Sequence, residues 1–177
     1  MNINIEQELW KGIHRTRTFS ESIHLKSIIE NHIKFKPRYW IGLTFPRKIE
    51  ISTAINKIDN WFLNITRGIF KSHIQPIVGL NTQGDYVVND IHCILLIENR
   101  KSVHASWYYE QFKEMKRYWR KNRGRIIIEE YDESKFGIPY ITTRHKEIPF
   151  QTHCPNRHRQ CKKGKCIYNN KQNLLLR

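Results

Sequence analysis

Several things are scarce in this chain, and each scarcity excludes something. Alanine is almost absent, with 2 residues against 26 isoleucines, a skew that suggests AT-rich coding and says little about chemistry. There are 4 cysteines in 177 residues, 3 of them within the last 24, which is too thin a framework for a disulfide-stapled fold. No run approaches the roughly 18 consecutive apolar residues of a membrane span. The first residues, Met1-Asn2-Ile3-Asn4-Ile5-Glu6, show no basic stretch followed by an apolar one, so no secretory signal is expected and a cytoplasmic protein is. Acidic residues are also short. Against 31 Lys+Arg stand 16 Asp+Glu, a net charge of +15 with a pI near 9.9. Self-repulsion of that size is tolerated where a phosphate backbone neutralises it, so nucleic acid is the expected partner. A membrane surface fits less well, because no amphipathic segment with exposed large apolar residues stands at the N-terminus.

What is present suffices for a core: 39% hydrophobic residues with 12% aromatics. The length fits one domain with a tail. Residues 19–35, with Ile23, Ile28, Ile29 and Ile33 behind Ser20 or Ser22, predict a helix ending before Pro37. Residues 40–45 are short, aromatic and branched, and are stopped by Pro46, as a strand would be. Ile55, Ile58, Phe62, Ile65 and Ile69 recur every three or four residues behind Ser52 or Thr53, the clearest amphipathic helix in the chain. Two apolar runs, 74–80 and 86–97, flank the turn-forming residues 81–85 and predict a hairpin. Tyr108, Phe112, Met115 and Trp119 then mark one face of a helix whose other side is basic. A strand over 125–130 and a short helix from Asp132-Glu133-Ser134 through Tyr140 follow. This order predicts an α+β domain with a mostly antiparallel sheet and helices on one face.

Asp90 and His92 alternate along a strand, so they share a face about 7 Å apart. A carboxylate and an imidazole suit Mg²⁺, Mn²⁺ or Zn²⁺; the plainer alternative is a polar pair on a solvated sheet face. Tyr140 has Arg144, His145 and Lys146 close behind it. A phenol with its usual pKa near 10 attacks poorly unless a cation, base or metal favours the phenolate; the plainer alternative is a packed ring.

In this order, Trp40-Ile41-Gly42-Leu43-Thr44-Phe45, Asp90-Ile91-His92-Cys93-Ile94-Leu95-Leu96, the segment 107–123 and the segment 137–146 resemble the ordered motifs of HUH-type replication initiators, the Rep-like proteins of plasmids and phages. The resemblance spans roughly residues 38–150. It implies an HUH/RRM-like α+β domain in a bacterial host's cytoplasm, with residues 1–37 as an N-terminal helical extension and 151–177 as a basic tail. It further implies that Asp90 and His92 occupy the metal-ligand positions, with Mg²⁺ or Mn²⁺ as cofactor, and that Tyr140 is the nucleophile of a single-strand DNA endonuclease and ligase. The chain departs from the pattern in three places. Asp90 stands for the first histidine, no acid stands near Leu80-Asn81, and Thr143 replaces the lysine expected one turn after Tyr140.

Lys113, Lys116, Arg117, Arg120, Lys121 and Arg123, with Arg144 and Lys146, are the expected nucleic-acid contacts. Trp107 and Tyr109 are candidates for stacking on single-stranded bases. The tail carries 7 Lys or Arg and no acid over residues 151–177. Its His153, Cys154, His158, Cys161 and Cys166 have the donor chemistry for Zn²⁺, in spacings that match no standard finger; a coreless basic arm is the alternative. The rival functional reading is a non-catalytic DNA- or RNA-binding protein on an RRM-like sheet. A membrane- or protein-bound adaptor explains the charge less well.

Overall fold

The computed structural model describes residues 19–98, 105–145, 148–150 and 174–176. In chain order the elements are α1 (Phe19–His32), β1 (Lys36–Thr44), β2 (Ile49–Glu50), α2 (Ile51–Ile65), β3 (Ile74–Gln83), β4 (Tyr86–Ile97), α3 (Ala105–Arg120), β5 (Ile126–Glu130), α4 (Glu133–Phe136), α5 (Ile138–Arg144), β6 (Ile148–Phe150) and β7 (Leu174–Leu176). The expected α+β class is what the chain adopts. The described strands form one antiparallel sheet in the order β5-β1-β4-β3-β6-β7, with β2 continuing the line of β1 alongside β4. Its centre is a β-α-β-β-α-β unit, β1-α2-β3-β4-α3-β5, whose two helices pack on the same face.

That face is the main core. Strand alternation sends Tyr39, Ile41, Leu43, Val78, Leu80, Ile91, Cys93 and Leu95 to it. The predicted amphipathic helix closes it: α2 buries Ala54, Ile58, Trp61, Phe62 and Ile65, and α3 adds Met115 and Trp119. Trp61 Nε1 donates to the Met115 carbonyl at 3.1 Å, and the Trp61 and Trp119 rings meet edge to face with centroids 5.5 Å apart. Ser52 and Thr53 do not cap this helix; Glu50 occupies the cap position without a side-chain hydrogen bond. The far end of α2 widens into one π-helical turn, Thr66–Phe70, closed by Lys71 in the left-handed region.

Helices were expected on one face, yet they cover both. The even-numbered side of the sheet, with Trp40, Ile94 and Leu96 joined by Ile77, is capped by Leu25 and Ile29 of α1 and by Ile138 and Ile141 of α5. Ser22 Oγ donates to the Thr142 carbonyl at 3.3 Å, tying α1 to α5. The helix assigned from sequence to an N-terminal extension is therefore packed on the domain. Its apolar residues recur unevenly because it covers only part of a face: Leu25 and Ile29 are buried while Ile23 is 45% exposed.

The hairpin turn is tighter than the five residues 81–85 suggested. Strand pairing persists through Gln83↔Tyr86, leaving Gly84 and Asp85 as the turn, with Gly84 at φ 58°. The predicted helix after Asp132 is two short ones. Gly137 breaks it, and Pro139, which lacks an N–H, sits in the first turn of α5 where none is needed.

Candidate active site on the second sheet face

His92 lies mid-strand in β4. Its register partners are both glycines, Gly42 on β1 and Gly79 on β3. A glycine on each side leaves a hollow beside the imidazole, and each hollow is taken by a ring from elsewhere. His145 fills the one above Gly79: a Cβ built there would collide with His145 Cδ2 and lie 2.6 Å from its Cγ. The Trp40 indole swings over Gly42, 3.4 Å from where its Cβ would be, and stacks on His92 with centroids 5.1 Å apart and planes 27° from parallel.

His145 ends α5, where its N–H reaches the Ile141 carbonyl at 3.2 Å. The helix therefore delivers two side chains to one spot. His92 Nδ1 and His145 Nε2 are hydrogen-bonded at 2.8 Å, so one ring donates and the other accepts. The Tyr140 ring stands edge-on to both, with centroids 5.3 Å from His92 and 6.2 Å from His145. Both imidazoles are buried, at 6% and 1% exposure, and Tyr140 is half-buried. The cluster offers a phenol at the surface and, beneath it, a linked imidazole pair that can take up or hand on a proton.

Asp90 points to the same face, as the alternation predicts, and is exposed. It sits where the ladder is irregular: pairing with β3 runs from Leu80↔Ile91 to Thr82↔Val87, so three β4 residues face Asn81 alone. Such breaks re-aim side chains and recur beside active sites. No group of three His, Cys, Asp or Glu suited to a metal ion occurs among the described residues. The pair of imidazole nitrogens is a better start for an ion than the pair the sequence suggested. At metal–nitrogen distances near 2.0–2.1 Å, two tetrahedral ligands stand about 3.3 Å apart, so opening the 2.8 Å pair slightly would admit one. Imidazoles suit Zn²⁺ or a similar transition ion, and Asp90 would add the harder oxygen donor.

Beside Trp40 a pocket of about 460 Å³ is lined by Glu129, Glu130, Tyr131, Asp132 and Lys135. Asp132 accepts from the Ser134 hydroxyl at 2.6 Å and the Ser134 N–H at 3.0 Å, and these bonds hold its carboxyl below the usual range. This acidic flank repels phosphate on the β5 side of the cluster.

The structure thus brings His92 and Tyr140 together and leaves Asp90 two residues along the strand. It sets the basic residues of α3 on the opposite face of the sheet. Arg144 contributes backbone to α5, while its side chain, Lys146, the side chains of Trp107 and Tyr109, and the tail residues His153, Cys154, His158, Cys161 and Cys166 lie outside the described residues. Sequence reasoning treated His145 as one of three nearby cations and missed Trp40 and the flanking glycines. A glycine inside an unbroken apolar strand, as Gly79 is, was the available sign of a close approach. Among the described residues no helix is long and apolar enough to cross a membrane. Comparison of the chain with protein-family models, with curated proteins and with solved structures finds no match.

Proposed function

We propose that this protein nicks and rejoins single-stranded DNA with Tyr140 as nucleophile, in the manner of a Rep-like initiator. One observation carries the reading: Tyr140 and His145, from the same short helix, meet His92, which lies 53 residues before His145 in sequence, on the sheet face opposite α2 and α3. The net charge of +15 supports a phosphate-bearing substrate.

In this reading the Tyr140 oxygen attacks phosphorus and its proton passes to solvent water, since imidazoles that hold an ion have no nitrogen left to accept it. A 5′-phosphotyrosyl ester forms as the bond to the 3′ oxygen breaks, and that oxygen leaves as a 3′-hydroxyl after taking up a proton. One phosphoester replaces another, so the reverse attack by a 3′-hydroxyl rejoins the strand. His92 and His145, with Asp90, are the residues that would hold a divalent ion. Such an ion supplies polarisation of the scissile phosphate. Trp40 holds the His92 plane, and Gly79 leaves the room that seats His145.

The test is incubation with a library of labelled single-stranded oligonucleotides and Mg²⁺ or Mn²⁺, followed by a denaturing gel. A covalent band that disappears in Tyr140→Phe is expected. His92→Ala loses it as well, and excess Mn²⁺ partly restores it in Asp90→Ala. Adduct retained in Tyr140→Phe assigns the attack to another group, Tyr131 first. The second reading, a non-catalytic nucleic-acid-binding protein, is favoured by Asp90 standing where the resemblance asks for histidine and by the lack of a three-residue ligand group among the described residues. A wild-type protein that binds single strands and never forms the adduct selects it.

A further inference from the structure

We propose that the outer face of α3 is a separate binding surface for duplex DNA, so that the protein holds a double-stranded segment on one side while the second sheet face takes a single strand. The single-strand half rests on the function proposed above; the duplex half does not.

The topology forces the separation. Met115 and Trp119 of α3 face the core under the odd-numbered side of the sheet, whereas His92, Trp40 and α5 occupy the even-numbered side. A helix with its side chains is about 10 Å thick. The outer cations of α3 therefore stand a full helix layer plus the sheet away from Tyr140, and a strand lying across the His92 cluster reaches them only by passing round a sheet edge. On the nearer edge, β5, Glu129, Glu130 and Asp132 repel its phosphates.

The chemistry of the face selects its partner. Lys113, Lys116, Arg120 and Lys121 are exposed, and their spacing of three, four and one lines them along one side of the helix. Lys113 and Arg120 are about 10 Å apart along the axis, a length over which one DNA strand presents about three phosphates. Arg117 is engaged otherwise: its guanidinium grips Glu114 in a forked pair, at 2.6 Å and 3.0 Å to the same carboxylate oxygen. That pairing lowers the Glu114 pKa and so keeps one acid charged on the face, yet cations remain in excess. Among the described side chains of α3, from Glu110 on, no bare aromatic is offered. The Tyr118 ring is covered by Arg117 at 4.8 Å and lies within 5.8 Å of Lys121, and its hydroxyl stands 2.8 Å from where a Cβ on Gly68 would be. The exposed large apolar residues among those described are Ile23, Tyr86 and Ile127, none of them on α3. Single strands are held by stacking platforms as well as charge, whereas a duplex backbone needs point charges in a row. Over its described residues this face has the second and not the first.

The experiment uses the full chain, a short blunt DNA duplex and an oligothymidylate, each followed by fluorescence anisotropy over a salt series. Lys113→Gln, Lys116→Gln, Arg120→Gln and Lys121→Gln combined should weaken duplex binding by on the order of tenfold or more and lower its salt slope by about 3 to 4. Circular dichroism and the melting temperature of the same variant show whether it folds. Should it not, the charge-reversing single change Lys116→Glu gives the same readout in smaller measure. With the wild-type protein, saturating duplex should leave the oligothymidylate bound. Displacement of one by the other means a single shared site and overturns the proposal, as does a folded variant with unchanged duplex affinity and slope. The adduct assay is independent: its failure removes the nicking reading and leaves the duplex surface standing.

Discussion

The sheet face under α2 and α3 is closed almost entirely by apolar side chains, Trp61, Phe62, Met115 and Trp119 among them, while the face under α1 and α5 carries two buried histidines inside an apolar rim. On the first face burial is the purpose. Volume and shape decide what fits, and the stabilisation scales with area removed from water. On the second, burying two imidazoles costs free energy that their mutual hydrogen bond and ring contacts help offset. Here the position of each atom matters more than the area. The same β4 serves both, presenting Ile91, Cys93 and Leu95 one way and His92, Ile94 and Leu96 the other. Even its thiol follows the rule: burial alone pushes the Cys93 pKa well above the usual thiol range, as befits a small apolar filler on the first face.

The contrast is sharpest in stability. Phe62→Ala on the first face should cost about 3–5 kcal/mol in chemical unfolding. Tyr140→Phe on the second keeps the ring and should cost about 0.5 kcal/mol or less while removing the proposed nucleophile. Comparable losses in the two variants would break the comparison.

A smaller effect should come from Gly79→Ala. The added methyl meets His145 Cδ2 and lies 3.0 Å from Ile141 Cγ2, so the expected cost is about 1–3 kcal/mol. Its specific sign is separation of the two imidazoles, read as loss of the nitrogen-to-nitrogen coupling between His92 and His145 by NMR. An intact coupling in a folded Gly79→Ala protein would mean that the glycine does not seat His145.

Away from both faces, Arg123 closes α3 at φ 58°, in the left-handed region that favours glycine. Arg123→Gly should raise stability by up to about 1 kcal/mol in thermal unfolding.

The smallest effect concerns acid. Bonds from Ser134 lower the Asp132 pKa, so its contribution to stability is present above the ordinary carboxylate range and is lost as pH falls through the lowered value. Asp132→Asn should flatten that limb of the stability–pH curve slightly, and an unchanged limb would show that the cap adds nothing. The carboxyl is exposed, so solvent screens its contribution to stability.

The first face was largely legible. The three- and four-residue recurrence of Ile55, Ile58, Phe62 and Ile65 marked α2, and Phe112, Met115 and Trp119 marked α3, because a helix that covers one side of a sheet must repeat its apolar residues with the helical period. The hairpin was legible too, except for its length, which the β3–β4 ladder extends to Gln83 and Tyr86 once neighbouring strands hold it. On the second face Asp90, His92 and Tyr140 were picked out singly. Their relation to one another was not visible, nor was the part of Trp40 and His145.

By itself, then, the sequence determined the alternation that gives β4 two unlike faces, the stripes of α2 and α3, and the net charge of +15. These follow from local periodicity and local chemistry. Only the tertiary structure decided that α1 and α5 close the second face, that His145 enters the hollow above Gly79 to bond His92, and that the cations of α3 stand on the far side from Tyr140. Those outcomes depend on which residues lie opposite one another across strands and layers, as Gly42, His92 and Gly79 do. Register and packing between segments dozens of residues apart fix such meetings, and no local pattern encodes them.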